Sequence, residues 1–247
     1  MEDVNSLIQK LASDTPEEEK DDAMKKLQFI KDEDLHLLLQ PISKAYWDGA
    51  AEVIINLGYP RVHIILPGLL EWIQDMNWPG AAQILDLLRD IGDPVIPYIK
   101  DVFNQHSDDV EWVEWIFELL VDNWNKNQIL QIEEELIQMS KGRKNDIKAL
   151  RTLWVHDIYQ TEIINGILQE KKSNITSEII ELEKLNPGID CMELKRGLKE
   201  VIFKPEFIKQ YFEQNKARFS FCNTKSNLQN YLIEIDDLAF EVLNTHI

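Results

Sequence analysis

Glu111, Glu114, Glu118 and Asp122 follow one another at spacings of three, four and four residues, which lines four carboxylates along one helical stripe with Trp112 and Trp115 on its flank. The chemistry open to such a row is electrostatic, because it attracts and orients cations. Like charges at these spacings destabilise an isolated helix by about 0.2–0.5 kcal/mol per pair. Solvent screens that cost, or a cationic partner relieves it. The stripe belongs to a longer run, Asp101 to Asn125, whose seven acidic residues include Asp108 and Asp109 and which holds no lysine or arginine. Nothing within the run neutralises it. Two readings follow: a solvated helix face with the tryptophans in the core, or a docking surface for a basic protein anchored by Trp112 and Trp115.

Other arrangements carry less chemistry. The segment His106-Ser107-Asp108-Asp109-Val110-Glu111 has potential metal ligands but lacks the glycine of a calcium loop and a second histidine four residues on. His156-Asp157 invites comparison with metal-dependent phosphohydrolases, which need further spaced histidines and aspartates. The five histidines (36, 63, 106, 156 and 246) stand in unrelated contexts. There is no glycine-rich phosphate loop, Gly-x-Ser-x-Gly elbow or Cys-His nucleophile. The sequence thus assigns no catalytic residue, metal or cofactor, and the expectation is a protein that is not an enzyme. A second candidate is Trp72-Ile73-Gln74-Asp75-Met76-Asn77-Trp78-Pro79. Either Asp75 and Asn77 cap the helix that begins at Trp78-Pro79 while the tryptophans wedge between helices, or Trp72, Asp75, Asn77 and Trp78 form an exposed binding ridge.

The chain's charge narrows the partners. Its 247 residues carry a formal charge of -18, and residues 1–150 hold 29 acidic against 14 basic groups while residues 151–247 hold 15 against 12. Such a field repels phosphate backbones and anionic lipid and speeds encounter with basic proteins, so the expected partner is a basic protein, with no nucleic acid and no membrane. Acidity alone also serves solubility. Cys191 and Cys222 lack the paired spacing of zinc sites or disulfide scaffolds and read as two lone thiols of a reducing cytosol. The acidic start Met1-Glu2-Asp3 does not resemble a signal peptide, and no segment reaches the roughly 20 apolar residues of a membrane span, so the expected location is cytoplasmic.

The elements that position these residues follow an internal repeat. Gly49-Ala50-Ala51 returns 31 residues later as Gly80-Ala81-Ala82, and Gly58-Tyr59-Pro60 returns after 34 as Gly92-Asp93-Pro94, a period typical of stacked helical hairpins. Thr15-Pro16-Glu17-Glu18-Glu19 starts a helix expected to reach Ile30, followed by helices over 32–39 and 44–57. Apolar residues at helical spacing predict helices over 61–75, 79–91, 94–105, 108–122 and 127–139. Pro67 falls inside one of these and predicts a kink; Pro97 lies near a helix start. The polar, basic interruption Ser140 to Asp146 sits where the charge density changes, and it is expected to divide a domain over 1–142, with its repeat core at about 44–140, from a C-terminal helical domain over 143–247. In the latter the pattern predicts one helix over 146–171, others ending at Leu185, Ile202 and Gln214, an extended linker at Arg218–Cys222 and a last helix over 225–244.

The block Leu66-Pro67-Gly68-Leu69-Leu70-Glu71-Trp72 through Asn77-Trp78-Pro79 resembles the signature of a bacterial family of uncharacterised domains, and the resemblance covers roughly residues 30–140. It implies an all-α, HEAT-like helical-hairpin solenoid and leaves the last hundred residues unmatched. By analogy with small acidic helical proteins it also implies an immunity-type role. The expected function is non-catalytic binding of a basic partner. The alternatives are a helical-repeat enzyme with a site in the interdomain cleft and a multi-partner scaffold.

Overall fold

The computed structural model describes residues 2–244, every element of which is helical; Met1 and His246, both weighed in the sequence, lie outside them. The chain divides into two compact units, Met1–His156 and Asp157–Ile247.

In the first unit α1 (Val4–Gln9) and α2 (Glu17–Leu27) pack together, and the Arg61 guanidinium donates to the carbonyls of Gln28 and Ile30, tying the end of α2 to the 3-10 turn Arg61–Ile65. A 3-10 turn over Asp32–Leu38 and a second over Lys44–Tyr46 lead to α3 (Trp47–Leu57). After α3 the repeat shows in the backbone. Gly58 ends α3 at φ 62° and Gly92 ends α5 (Ala81–Ile91) at φ 69°; each is followed by a 3-10 turn, and then by a helix with proline in its first turn, α4 (Leu66–Trp72) with Pro67 and α6 (Ile96–Gln105) with Pro97. Proline costs nothing there, because the first amides of a helix have no internal acceptor. Pro67 therefore starts a helix instead of kinking one, and the element expected over 61–75 is a 3-10 turn followed by α4.

The Gly-Ala-Ala elements set the packing distance between α3 and α5. Gly80 sits at φ 78°, a conformation that favours glycine, and a Cβ there would lie 2.8 Å from the Ala51 Cβ and 3.2 Å from the Trp47 carbonyl oxygen. Ala50, Ala51 and Ala81 are fully buried. Trp72 is buried too, donates its indole N–H to the Pro79 carbonyl at 2.9 Å and meets Trp47 edge-on at 5.9 Å.

Beyond α6, Asp109 caps α7 (Val110–Leu119) by accepting from the Trp112 amide at 3.2 Å. Asn125 and Gln128 form a capping box at the start of α8 (Lys126–Gln131). The helix expected over 127–139 breaks at Ile132 into α8 and α9 (Glu133–Ser140). Ile132 is buried at that corner with φ -114°, so the apolar series continues through a bend. α10 (Asp146–Val155) packs on α9, which makes Ser140–Asp146 a turn inside the first unit; the unit continues to His156, past the boundary expected at residue 142.

In the second unit the helix expected over 146–171 is interrupted at Asp157, which has φ 52°, and α11 runs from Thr161 to Leu185. It lies antiparallel to α14 (Lys216–Asn244), with Lys172 paired to Asp236 and Lys225 to Glu183 and with Ile164, Leu168, Ile235, Leu238 and Val242 between them. Between these two helices stand α12 (Cys191–Val201), capped by Asp190, and α13 (Pro205–Gln214). Arg218–Cys222 belongs to α14 and is not an extended linker: a lone strand would leave its amides unpaired, whereas the helix satisfies them and turns Phe221 and Cys222 into a small core with Leu194. The cysteines are not free thiols. Cys191 and Cys222 form a disulfide that closes a loop with a sequence separation of 31, so the inference of a reducing compartment loses its basis.

All seven tryptophans lie in the first unit, so their fluorescence reports on that unit alone. Gly80→Ala is expected to lower its denaturation midpoint by the equivalent of about 1–3 kcal/mol, from backbone strain and overpacking. Gly166→Ala, whose Cβ would meet nothing within 4 Å on α11, is expected to stabilise the second unit by about 0.5–1 kcal/mol in circular dichroism melts. Reduction of the disulfide should cost the second unit up to about 3–4 kcal/mol on the chain-entropy account and leave the tryptophan transition in place. Coincident loss of both transitions would show that the two units do not unfold separately.

Candidate functional site

The carboxylate stripe lies only partly on one helix, because α7 ends at Leu119 and not at Asp122. Glu111, Glu114 and Glu118 project from α7, and Asp122 follows in the 3-10 turn Val121–Asn123; Glu114 is half-buried and the other three are exposed. The two tryptophans behave differently from surface anchors. Trp112 is 3% exposed and donates its indole N–H to the Leu70 carbonyl at 3.0 Å, so it belongs to the core and is unavailable to a partner. Trp115 is half-buried along the flank, with its Nε1 sheltered from solvent and without a hydrogen-bond partner.

The stripe also has a counterion that the sequence did not reveal. Lys148, from α10, lies between two of the carboxylates, with Nζ 2.6 Å from Glu118 Oε1 and 3.2 Å from Glu114 Oε1. Its partial burial acts to lower the ammonium pKa, and the hydrogen bonds to Glu118 and Glu114 outweigh that and hold it above the ordinary lysine value. The basic turn reaches the same helix: Lys144 Nζ donates to the Asp108 carbonyl at 3.4 Å and Asn145 Nδ2 to the Val110 carbonyl at 3.2 Å. The stretch 101–125 is therefore partly neutralised from about thirty residues further along the chain, a distance at which charge pairing leaves no periodic signal. Glu111 and Asp122 have no ion-pair partner among the described residues. Desolvation first and the charge of Glu118 second push the Asp122 carboxyl above the usual carboxylate range, against the opposing pull of Lys148, Arg151 and His156.

The second candidate is a packed junction. Trp72 is buried, and Asp75 closes on Asn77 by accepting from both its amide and its side chain at 2.9 Å. Those two residues shape a turn, while the following helix starts only at Ala81. Trp78 lies edge-on to Trp47 at 5.4 Å, and the Lys44 ammonium stands 5.3 and 5.6 Å from the centres of those two rings. The block thus fixes the α4–α5 corner.

Sequence reading missed one further group. Glu135 is buried in α9 beside a cleft of about 330 Å³ lined by Asn104, Asp108, Arg143 and Lys144. Its Oε1 accepts from Asn104 at 3.3 Å and lies 3.4 Å from the Lys100 ammonium, whereas Oε2 has no partner. Glu135 lies within the helix expected over 127–139, and three successive glutamates at 133–135 give no sign of which one turns inward. Among the described residues no three His, Cys, Asp or Glu side chains are grouped to hold a metal ion.

Residues 48–152 match a domain of unknown function, DUF5071. The match takes in α3 through most of α10, including both the tryptophan block and the carboxylate stripe, and every element of the described residues is helical. No curated protein and no solved structure matches the chain.

Asp122 provides a titration test. A carboxyl whose folded pKa is raised binds its proton more tightly in the native state, so its ionised form lowers stability at neutral pH, and that cost is relieved as pH falls through the raised value. Asp122→Asn should therefore raise the tryptophan-monitored melting temperature near neutral pH. The difference from wild type should vanish below the ordinary value of 3.8. A variant less stable than wild type at neutral pH would mean that attraction to Lys148 and Arg151 outweighs burial.

Proposed function

We propose that the first unit is a HEAT-like protein-binding module that docks a basic partner on the face carrying Glu111, Glu114, Glu118 and Asp122, without catalysis. The observation that supports this reading is the division of the stripe. Lys148 engages its two central carboxylates, and Glu111 and Asp122 at its ends make no salt bridge among the described residues, although Lys148 and Arg151 attract Asp122 from further off. Lys148 acts as an internal counterion that keeps α7 and α10 together, and a lysine or arginine of the partner adds to the stripe at its ends. Such contacts govern the rate of encounter and the choice of partner more than the final affinity. An immunity-type or regulatory role in a bacterium fits this mode, since occluding a basic effector surface needs shape and charge and no reaction.

A small-molecule site is the second reading. It rests on the Glu135 carboxylate, whose Oε2 lacks a partner beside the cleft, and its signature is thermal stabilisation of the first unit by a ligand.

Affinity capture from native cells, with the purified candidate rebound at low and high salt, tests the first reading. The informative variant is Glu111→Lys with Asp122→Lys, because it leaves the Glu114–Lys148–Glu118 bridge intact. Wild type should recover a basic protein whose binding weakens steeply with ionic strength, and the variant should bind that protein at least tenfold more weakly. Equal binding by the variant would sink the assignment of the stripe.

A further inference from the structure

In an acidic chain most cations of the first unit are committed to carboxylates or carbonyls, but one helix of the second unit departs from that pattern. Met192, Lys195, Arg196, Lys199 and Phe203 succeed one another at helical spacing along the outer side of α12 and its end, and all are exposed. Lys195, Arg196 and Lys199 have no carboxylate within ion-pairing distance among the described residues; Glu193 and Glu200 border the stripe beside Arg196, and Glu193 is engaged by Arg218 at 3.3 Å. The segment 191–219 holds seven basic and four acidic residues, against the negative balance of the whole.

Apolar groups flank this stripe. Met192 is 68% exposed at one end, and at the other Ile202 is 47%, Phe203 93% and Phe207 50% exposed. Lys204 sits among them as the residue before α13, and α13 itself has no buried residue. The opposite side of α12 supplies its core contacts through Leu194, and the disulfide at Cys191 fixes its start to α14, so the stripe stands outward on an anchored base.

We propose that this stripe is a docking surface for an anionic lipid membrane, with Lys195, Arg196 and Lys199 at the headgroups and Ile202, Phe203 and Phe207 entering the interface. An amphipathic helix with cations on its face and large apolar residues at its end has the composition of an interfacial element. Lysine stems reach past apolar contacts and leave their ammonium groups in the headgroup layer. The apolar residues favour lipid over a phosphate backbone, which would meet only the cations. The chain's total charge does not forbid this, because the screening length is about 8 Å at physiological salt and a surface responds to the charges nearest to it.

The test is co-sedimentation of the full chain with phosphatidylcholine vesicles, with and without about one third phosphatidylglycerol. Wild type should sediment with the anionic vesicles alone and be released by salt. Replacing Lys195, Arg196 and Lys199 with glutamine should weaken partitioning about fivefold for each cation removed. Phe203→Ser should weaken it about tenfold at unchanged charge. Circular dichroism checks that these exposed substitutions leave the helices formed, and Glu111→Lys with Asp122→Lys in the first unit should leave vesicle binding intact. Failure to sediment with anionic vesicles would overturn the proposal, as would undiminished sedimentation of the glutamine variant. So would tighter binding, through the same residues, of a single-stranded oligonucleotide or an acidic peptide.

Discussion

At the corner between α4 and α5, the backbone at Gly80, the methyl of Ala51 and the ring of Trp72 occupy nearly all the space available. This close approach fixes the distance between α3 and α5, and Trp47 and Trp78 pack around it. Trp72 has its N–H satisfied by Pro79, Trp47 bridges Trp72 and Trp78, and the Trp47 N–H ends on the Pro41 carbonyl at 2.6 Å. A fully buried tryptophan with a satisfied indole is costly to truncate, about 3–5 kcal/mol. The residues with the most chemical variety in the chain are therefore occupied with packing.

Electrostatics in the first unit follows a similar economy. Arginines and lysines are few, and the structure uses them at joints: Arg61 on the end of α2, Arg89 donating to the Leu119 carbonyl at 2.9 Å, Lys44 over two indoles, Lys148 between two glutamates. Each cation thereby meets either a helix end, whose carbonyls carry partial negative charge, or a group on a different element. The acidic excess is left on the surface, where it costs little and sets the field seen by an approaching molecule.

Much of this was legible in the chain. The all-helical class, the Gly-Ala-Ala period and the helix start near Pro97 follow from local rules, and the structure agrees with them. The carboxylate stripe was legible as geometry, since one helix contains most of it. What it is paired with was not, because Lys148 comes from an element that sequence alone cannot place. Trp112 shows the same limit: at one position helical spacing cannot distinguish a flank from the core when both sides of the helix are apolar. The disulfide escaped because a separation of 31 residues has no meaning until α12 and α14 are known to be neighbours. At Arg218–Cys222 the alternating pattern suggested an extended chain, and contact with Leu194 decided for the helix instead.

The disulfide closes a ring around α12 and α13, and its position at the base of that ring separates two demands that sequences usually have to meet together. Fold is secured below it, by the long pair α11 and α14 and by the small cluster around Leu194. Above it, α13 contributes no buried side chain. Apart from Tyr211, which packs on the Leu194 cluster and donates its hydroxyl to the Leu194 carbonyl at 3.0 Å, the amino acids of the tip are under little obligation to the core, and relatives of this chain are free to diverge there without losing their architecture. Whatever uniformity their tips retain measures selection by what the tip touches.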